Sequence, residues 1–163
     1  MAHDGAAMAE RETKLEAKSS ARRNPPAHER YVGYHLRRAS LTMMAGVTAA
    51  LADLNVRPVH FSVFTMIIEN PGITAAEICR QLSIKRANIV PILAELASRG
   101  LFVREADPKD QRSHRLFATR AGAAAHVAWS TRVRAHEEYL LRHLAPSERK
   151  TLRSLLERLW REV

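Results

Sequence analysis

Residues 72–122 read GITAAEICRQLSIKRANIVPILAELASRGLFVREADPKDQRSHRLFATRAG. Thr74 followed three residues later by Glu77 is the pattern of a capping box, in which a hydroxyl and a carboxylate each satisfy a free amide at a helix start. Ile78 and Leu82 give that helix an apolar face, and Ser83-Ile84 makes a turn. A second helix runs from about Lys85 to Ser98, with Ile89, Ile92, Leu93 and Leu96 facing inward. It ends on Arg99, a cation at the negative end of the helix dipole, and on Gly100, a residue suited to the position just past a helix. Leu101 to Glu105 reads as a strand, Asp107 to Gln111 carries turn chemistry, and Arg112 to Ala118 returns as a second strand. Thr119 then caps a helix that runs to about Leu144.

Outward from this stretch, Asn70-Pro71-Gly72 breaks the chain on one side. Before it, Pro58 opens a helix whose Phe61, Val63, Phe64, Ile67 and Ile68 make it apolar nearly all round, so it is central and buried. From His28 to Leu54 a further helical pattern carries Tyr31, Tyr34, Leu36, Leu41, Met44, Val47, Leu51 and Leu54. Residues 1–27 are Ala-rich and charged and close on Arg22-Arg23-Asn24-Pro25-Pro26, which predicts a mobile tail. On the other side, Pro146 starts a last amphipathic helix bearing Leu152, Leu155, Leu156, Leu159 and Trp160. The chain is therefore mainly α with one small β-hairpin. Two short helices across a tight turn, followed by a hairpin with a charged tip, give the outline of a winged helix-turn-helix, a shape that fits double-stranded DNA.

The charge balance agrees. Lys plus Arg number 26 against 17 acids in 163 residues, a net +9, which favours a polyanionic partner, nucleic acid ahead of an anionic membrane surface. The one cysteine, Cys79, excludes an internal disulfide and fits a reducing compartment, and its place beside Ile78 suits core packing better than redox chemistry. The first residues lack the apolar core of a signal peptide, and no run of ~18 apolar residues exists to span a membrane, so a cytoplasmic protein is expected. The histidines show no metal spacing; His136 and His143 lie two helical turns apart. With no Gly-rich phosphate loop, nucleophile elbow or paired acids in an apolar setting, catalysis, a metal and a cofactor are not expected.

DNA chemistry concentrates in two places. The first turn of the second helix offers Lys85, Arg86, Ala87 and Asn88, where cationic side chains add to free amides. Lys and Arg suit phosphate or guanine, Asn bridges the adenine edge, and a small Ala lets the backbone approach or touches a thymine methyl. Thr74 joins this set at the start of the preceding helix. The hairpin supplies Lys109, Arg112 and, on the returning strand, Arg115, with Arg112 long enough to enter a minor groove. Pro91, inside the helix, is expected to bend it between Ala87 and Pro91. The plainer readings are a polar surface helix and a salt-linked turn. A non-specific architectural DNA binder, using charge without reading bases, is the competing function.

Three stretches carry a resemblance to the MarR family of bacterial transcription regulators: Glu95-Leu96-Ala97-Ser98-Arg99-Gly100-Leu101, the wing Asp107-Pro108-Lys109-Asp110-Gln111-Arg112, and Thr119-Arg120-Ala121-Gly122. The likeness covers about Tyr31 to Val163. It implies a homodimer paired through its first and last helices, with 28–57 and 123–163 as dimerisation segments around a DNA-binding lobe at 58–122. It also implies a pseudo-palindromic operator, Arg112 as the wing-tip arginine and Asp110 as its supporting acid. Pro91 and Ala87 depart from the family pattern, where a polar or basic residue and a serine are frequent, so no operator sequence carries over.

Members of that family are usually repressors released by a small ligand, often an aromatic acid, sometimes its coenzyme A thioester. The resemblance places the pocket walls at Tyr34, Arg37, Arg38, Leu41, Met44, His60, Phe61 and Phe64. Arg37 and Arg38 suit a carboxylate or the thioester's phosphates, and the aromatics and Met suit a ring. The plainer reading of Met44, Phe61 and Phe64 is core.

Overall fold

The computed structural model of the chain describes residues 27–108 and 110–161, without the side chains of 110–112. The elements are α1 (Val32–Leu51), α2 (Pro58–Glu69), β1 (Ile73–Thr74), α3 (Ala75–Leu82), α4 (Arg86–Ser98), β2 (Phe102–Asp107), β3 (Asp110–Ala118), α5 (Arg120–Leu140) and α6 (Pro146–Arg161), with 3₁₀ turns at Ala27–Arg30 and Ala52–Leu54. No single helix among the described residues is long and apolar enough to cross a membrane. The described residues divide into two units, one up to Ser40 and one from Leu41 on. In the first, the Tyr34 ring lies 4.7 Å from His28 and 5.3 Å from His35.

In the second unit α2 is central. Val63, Phe64 and Ile67 are fully buried, with Leu51, Ile78, Leu96 and Trp129 closing around them. The hairpin expected from sequence is part of a three-stranded sheet ordered β1-β3-β2. The additional strand is two residues long, too short for an alternating signal, and follows directly on the Pro71-Gly72 break. Gly72 takes φ +86° and its amide donates to the Leu116 carbonyl at 2.8 Å, which brings Ile73 opposite Leu116. The helix after Thr119 is also shorter than expected, ending at Leu140 rather than near Leu144. The chain turns there, and Glu148 reaches back to the Ala145 amide at 2.7 Å to start α6.

Thr119-Arg120-Ala121-Gly122 has a local physical explanation. Thr119 donates its amide to the Leu101 carbonyl at 2.9 Å and its hydroxyl to the Gly100 carbonyl at 2.8 Å. The same hydroxyl accepts from the Gly122 amide at 2.9 Å, capping α5. A Cβ at Gly122 would run into the Leu101 carbonyl and the end of the Phe64 ring. This junction sets how closely α5 lies on β2 and α2.

The far end of α4 is tied from behind. His60 is 1% exposed and has its Nε2 2.9 Å from Glu95 on α4. The Arg57 Nε donates to His60 Nδ1 at 3.3 Å, and its guanidinium reaches Glu95 at 3.0 Å. Arg57 Nη2 also lies 2.9 Å from His60 Nε2; in the tautomer that lets Nδ1 accept from Arg57, Nε2 carries the proton of a neutral ring and donates it to Glu95. Burial lowers the His60 pKa, against the pull of the Glu95 carboxylate and with the help of Arg57. His126, which meets Thr65 Oγ1 at 2.9 Å, is likewise lowered by burial, with Glu69 opposing. Arg99, expected only to suit the helix dipole, donates to the Asn55 and Leu54 carbonyls and lies 5.3 Å above the Trp129 ring.

Two outcomes follow from this packing. Gly122→Ala overpacks the α2–α5 junction and costs about 1–3 kcal/mol, read as a lower urea midpoint with unchanged far-UV circular dichroism. For the histidines, both folded values lie below the ordinary 6.5. The unfolded chain therefore takes up protons first, and stability falls as pH drops below the ordinary value, levelling only below the folded ones. Urea melts between about pH 7.5 and 5.5 show that fall, and His60→Gln flattens part of it. A wild-type midpoint constant over this interval contradicts the assignment.

Candidate nucleic-acid interface

The interface is assembled on α3, α4 and the β2–β3 wing. Thr74 caps α3 as the sequence predicts: its Oγ1 accepts from the Glu77 amide at 3.3 Å, and its own amide donates to Glu77 Oε2 at 2.8 Å. That backbone hydrogen bond, then the one from the Thr74 hydroxyl, holds the Glu77 carboxyl below its ordinary pKa. Ser83 makes the turn in the left-handed region, φ 52° and ψ 36°, and the Ile84 amide closes it on the Cys79 carbonyl at 3.0 Å. Cys79 itself is half-buried against the core.

Lys85 is the N-cap of α4 rather than its first residue, in extended conformation and with no side-chain cap bond. The first two amides of a helix have no partner within it; with no cap side chain to accept them, those of Arg86 and Ala87 are set for an anion. The Asn88 amide donates to the Lys85 carbonyl at 2.8 Å. The helix then divides cleanly. Ile89, Ile92, Leu93 and Leu96 are buried, whereas Lys85, Arg86, Ala87, Asn88, Val90 and Pro91 are exposed. The helix runs on through Pro91, whose ring removes the bond to the Ala87 carbonyl. That carbonyl is left an acceptor on the outward side.

The wing's register decides what each basic residue faces. Across β2 and β3, Phe102 pairs with Ala118, Arg104 with Leu116, and Ala106 with His114. Opposed residues share a face and successive ones alternate. Phe102 and Leu116 are buried, so Arg104 and His114 stand on the face turned toward the core and α4. They line a cleft of about 560 Å³ with Ala75, Ala76, Arg86 and Val90. Val103, Glu105, Arg115 and Phe117 take the other face. Arg115 donates to the Gly72 carbonyl at 3.4 Å and lies 5.9 Å over the Phe117 ring. Toward the tip, Ala106 and Asp107 are adjacent while their partners His114 and Asp110 are four positions apart, so β3 carries the extra length. Lys109 and the Arg112 side chain lie outside the described residues.

Lys85, Arg86, Ala87 and Asn88 therefore form one exposed turn, and Thr74 sits at the α3 start with its hydroxyl engaged in the cap. Sequence reasoning misses Arg104, His114 and Val90. The alternation that buries Phe102 and Leu116 is the signal that finds the first two. Of the expected ligand residues, Arg37, Arg38, Leu41 and Met44 are exposed and Tyr34 is half-buried. Phe61 is half-buried, its ring stacked on His126 at 5.7 Å. His60 and Phe64 are committed to the interior of the second unit, His60 to Glu95 and Arg57, and Phe64, with no exposed surface, to Trp129 and the Gly122 junction. For these two, burial in the lobe is what the structure displays, because the same face that would greet a ligand meets protein.

The comparisons agree with this geometry. The family model that matches, over residues 53–113, is that of the MarR family. The transcriptional repressor CouR bound to a 23-mer DNA duplex is 35% identical, with a TM-score of 0.76, over 82% of this chain and 94% of that one. The same repressor bound to p-coumaroyl-CoA is 33% identical, with a TM-score of 0.73, over 83% and 95%. A transcriptional regulatory protein assigned to the hcr operon of Thauera aromatica is 28% identical over 132 residues, 80% of each chain. An HTH-type transcriptional repressor of Mycobacterium tuberculosis is 27% identical over 78% of this chain and 92% of its own. With an exposed, amide-tipped second helix, a three-stranded wing beside it, and a CouR likeness that spans nearly all of that repressor, the chain belongs to the MarR family of transcriptional regulators.

Proposed function

We propose that the chain is a homodimeric, sequence-specific DNA-binding repressor, released from its operator by an aromatic acid or its coenzyme A thioester. The observation that carries this reading is the division of α4: Ile89, Ile92, Leu93 and Leu96 are buried, and its exposed first turn offers Lys85, Arg86, Ala87 and Asn88 beside uncapped amides. That combination suits a DNA major groove. Thr74 adds to the α3 side of the same surface.

Pairing is supported by exposed apolar surface. Leu155, Leu159 and Trp160 on α6 are 50%, 56% and 64% exposed, and Leu41 and Met44 on α1 are 55% and 48%. Contiguous apolar faces of this kind mark an interaction site. A second copy is the natural occupant, since two half-sites about one helical turn, ~34 Å, apart need two recognition helices. For the effector, the exposed guanidiniums of Arg37 and Arg38 suit a carboxylate or phosphates. Release then follows if the effector prefers a dimer spacing that DNA does not, with a coupling of about 1–3 kcal/mol.

Fluorescence anisotropy tests the reading. At one fixed salt, the operator is bound ~10³-fold or more tighter than a random duplex; equal affinity would mean an architectural binder. Asn88→Ala relaxes base preference at one position per half-site by about 1–3 kcal/mol, and Arg112→Ala weakens operator binding while leaving the dimer folded. p-Coumaroyl-CoA and simple aromatic acids, titrated into the complex, release the operator. If none of them does, the repressor has no effector of this class.

A further inference from the structure

We infer that the cleft between the wing and α4, lined by Arg86, Arg104 and His114, grips a backbone phosphate of the duplex, while Arg115 on the other face of the sheet serves the fold and touches no DNA. The inference rests on the DNA-binding reading above and assigns to it residues that motif spacing passes over.

The strand register supplies the first part. Arg104 and His114 share a face with the buried Phe102 and Leu116, but they stand beyond the core, where that face opens into the cleft beside α4. Arg86, the first residue of α4, contributes the second guanidinium. Ala75 and Ala76, the first two residues of α3, form the opposite wall. Thr74 Oγ1 caps only the Glu77 amide, so the amides of Ala75 and Ala76 have no side-chain acceptor. Two guanidinium side chains, an imidazole and the start of a helix thus line one cleft.

Charge supplies the second part. No carboxylate lines the cleft among the described residues. Arg86, Arg104 and His114 take part in none of the ion pairs found among the described residues, which are Arg57–Glu95, His60–Glu95 and Arg132–Asp53. Arg104 is held instead by the Phe102 ring, 5.6 Å from its guanidinium carbon, an interaction that orients the group and leaves its N–H donors available. Alanines and Val90 around the donors keep the walls low, which suits a phosphate on a rigid duplex better than a flexible acidic peptide.

Arg115 differs on each count. It is opposite Thr74 and Glu105, donates to the Gly72 carbonyl, and occupies the space a Cβ at Gly72 would need. Its guanidinium also contributes to the low pKa of Glu77. This arginine fastens β3 to the Gly72 turn.

The salt dependence of DNA binding by the full chain separates the two arginines. Removing one phosphate-binding cation makes the slope of log K against log salt shallower by about 0.9 on B-DNA. In a homodimer Arg104→Ala removes one such cation from each subunit, so it flattens the slope by about 1.8 and weakens operator and random duplexes by the same factor. Arg104→Lys keeps most of the slope. Arg115→Ala leaves the slope alone and lowers the unfolding midpoint. An unchanged slope in Arg104→Ala overturns the inference, as does a flattened slope in Arg115→Ala. If wild-type protein binds both duplexes equally, sequence reading fails, and the slopes on the random duplex still decide the phosphate site. If operator preference stands but Arg104→Ala behaves as wild type, the phosphate site alone is overturned.

Discussion

The register of β3 is the constraint on which the functional surface depends. Three contacts fix it. Leu116, 2% exposed, accepts from the Gly72 amide, and Thr119 is pinned to Leu101 at the strand's end. Between them, Ile73 and Arg104 oppose the same Leu116 from β1 and β2. Because side chains alternate, a slip of one residue would turn Leu116 to solvent and drive Arg115 into the core. An unpaired guanidinium there costs far more than the ~1.5–3 kcal/mol that burying a leucine contributes. The basic residues of β3 thus enforce the register as firmly as the apolar ones, and the same alternation that protects the core sorts the wing's cations between two faces.

A second set of bonds holds α4 from its inner side. Glu95 takes hydrogen bonds from His60 and Arg57 near the start of α2, and Arg99 binds the carbonyls of Leu54 and Asn55 in the turn between α1 and α2. Asn55 stands in the left-handed region at φ 52°, so this turn is a defined bend rather than a loose link. The outward turn of α4 carries no such tether. Its position is inherited from the buried half of the helix, which is why a neutral His60 matters. A proton on Nδ1 would face the Arg57 Nε–H that now donates to it, and the tie would lose one bond and gain a repulsion. A movement of the Leu54–Asn55 turn would reach the recognition helix through Arg99 without crossing the core.

Much of this is legible in residues 72–122. The capping box, the turn at Ser83, the burial of Ile89, Ile92, Leu93 and Leu96, and the stop at Gly100 all rest on local rules that tertiary packing has no reason to override. The failures have equally physical causes. β1 is two residues long, so no periodicity announces it; it exists because Gly72 turns the chain onto Leu116. His60, placed among the pocket walls by the family resemblance, is buried against Glu95, a partner 35 positions away and beyond the reach of any local pattern. Arg104 escapes notice when strand residues are judged as a segment and not by face. Arg99 suits the helix dipole on sequence alone, yet three specific contacts employ it.

The chemistry of α4 also limits how a chain of this kind can select a sequence. On its exposed side Lys85, Arg86 and Asn88 are suited to hydrogen bonds with base edges; Ala87, Val90 and Pro91 are apolar and offer at most contact with a thymine methyl. One good bidentate pair discriminates by about 1–3 kcal/mol, and specific DNA binding typically exceeds non-specific binding by about 4–10 kcal/mol. If Arg86 is held by a phosphate in the wing cleft and Lys85 by another, Asn88 is left as the single polar base reader in each copy. Two copies then supply roughly 2–6 kcal/mol, which reaches only the lower part of that range. The remainder has to come from apolar contacts and from groove shape read by the wing, so selection would fall on A·T-rich steps with thymine methyls and a narrow minor groove. A net charge of +9 meanwhile supplies affinity without selectivity, and pairing two weak readers on one duplex is what turns such a surface into a specific one.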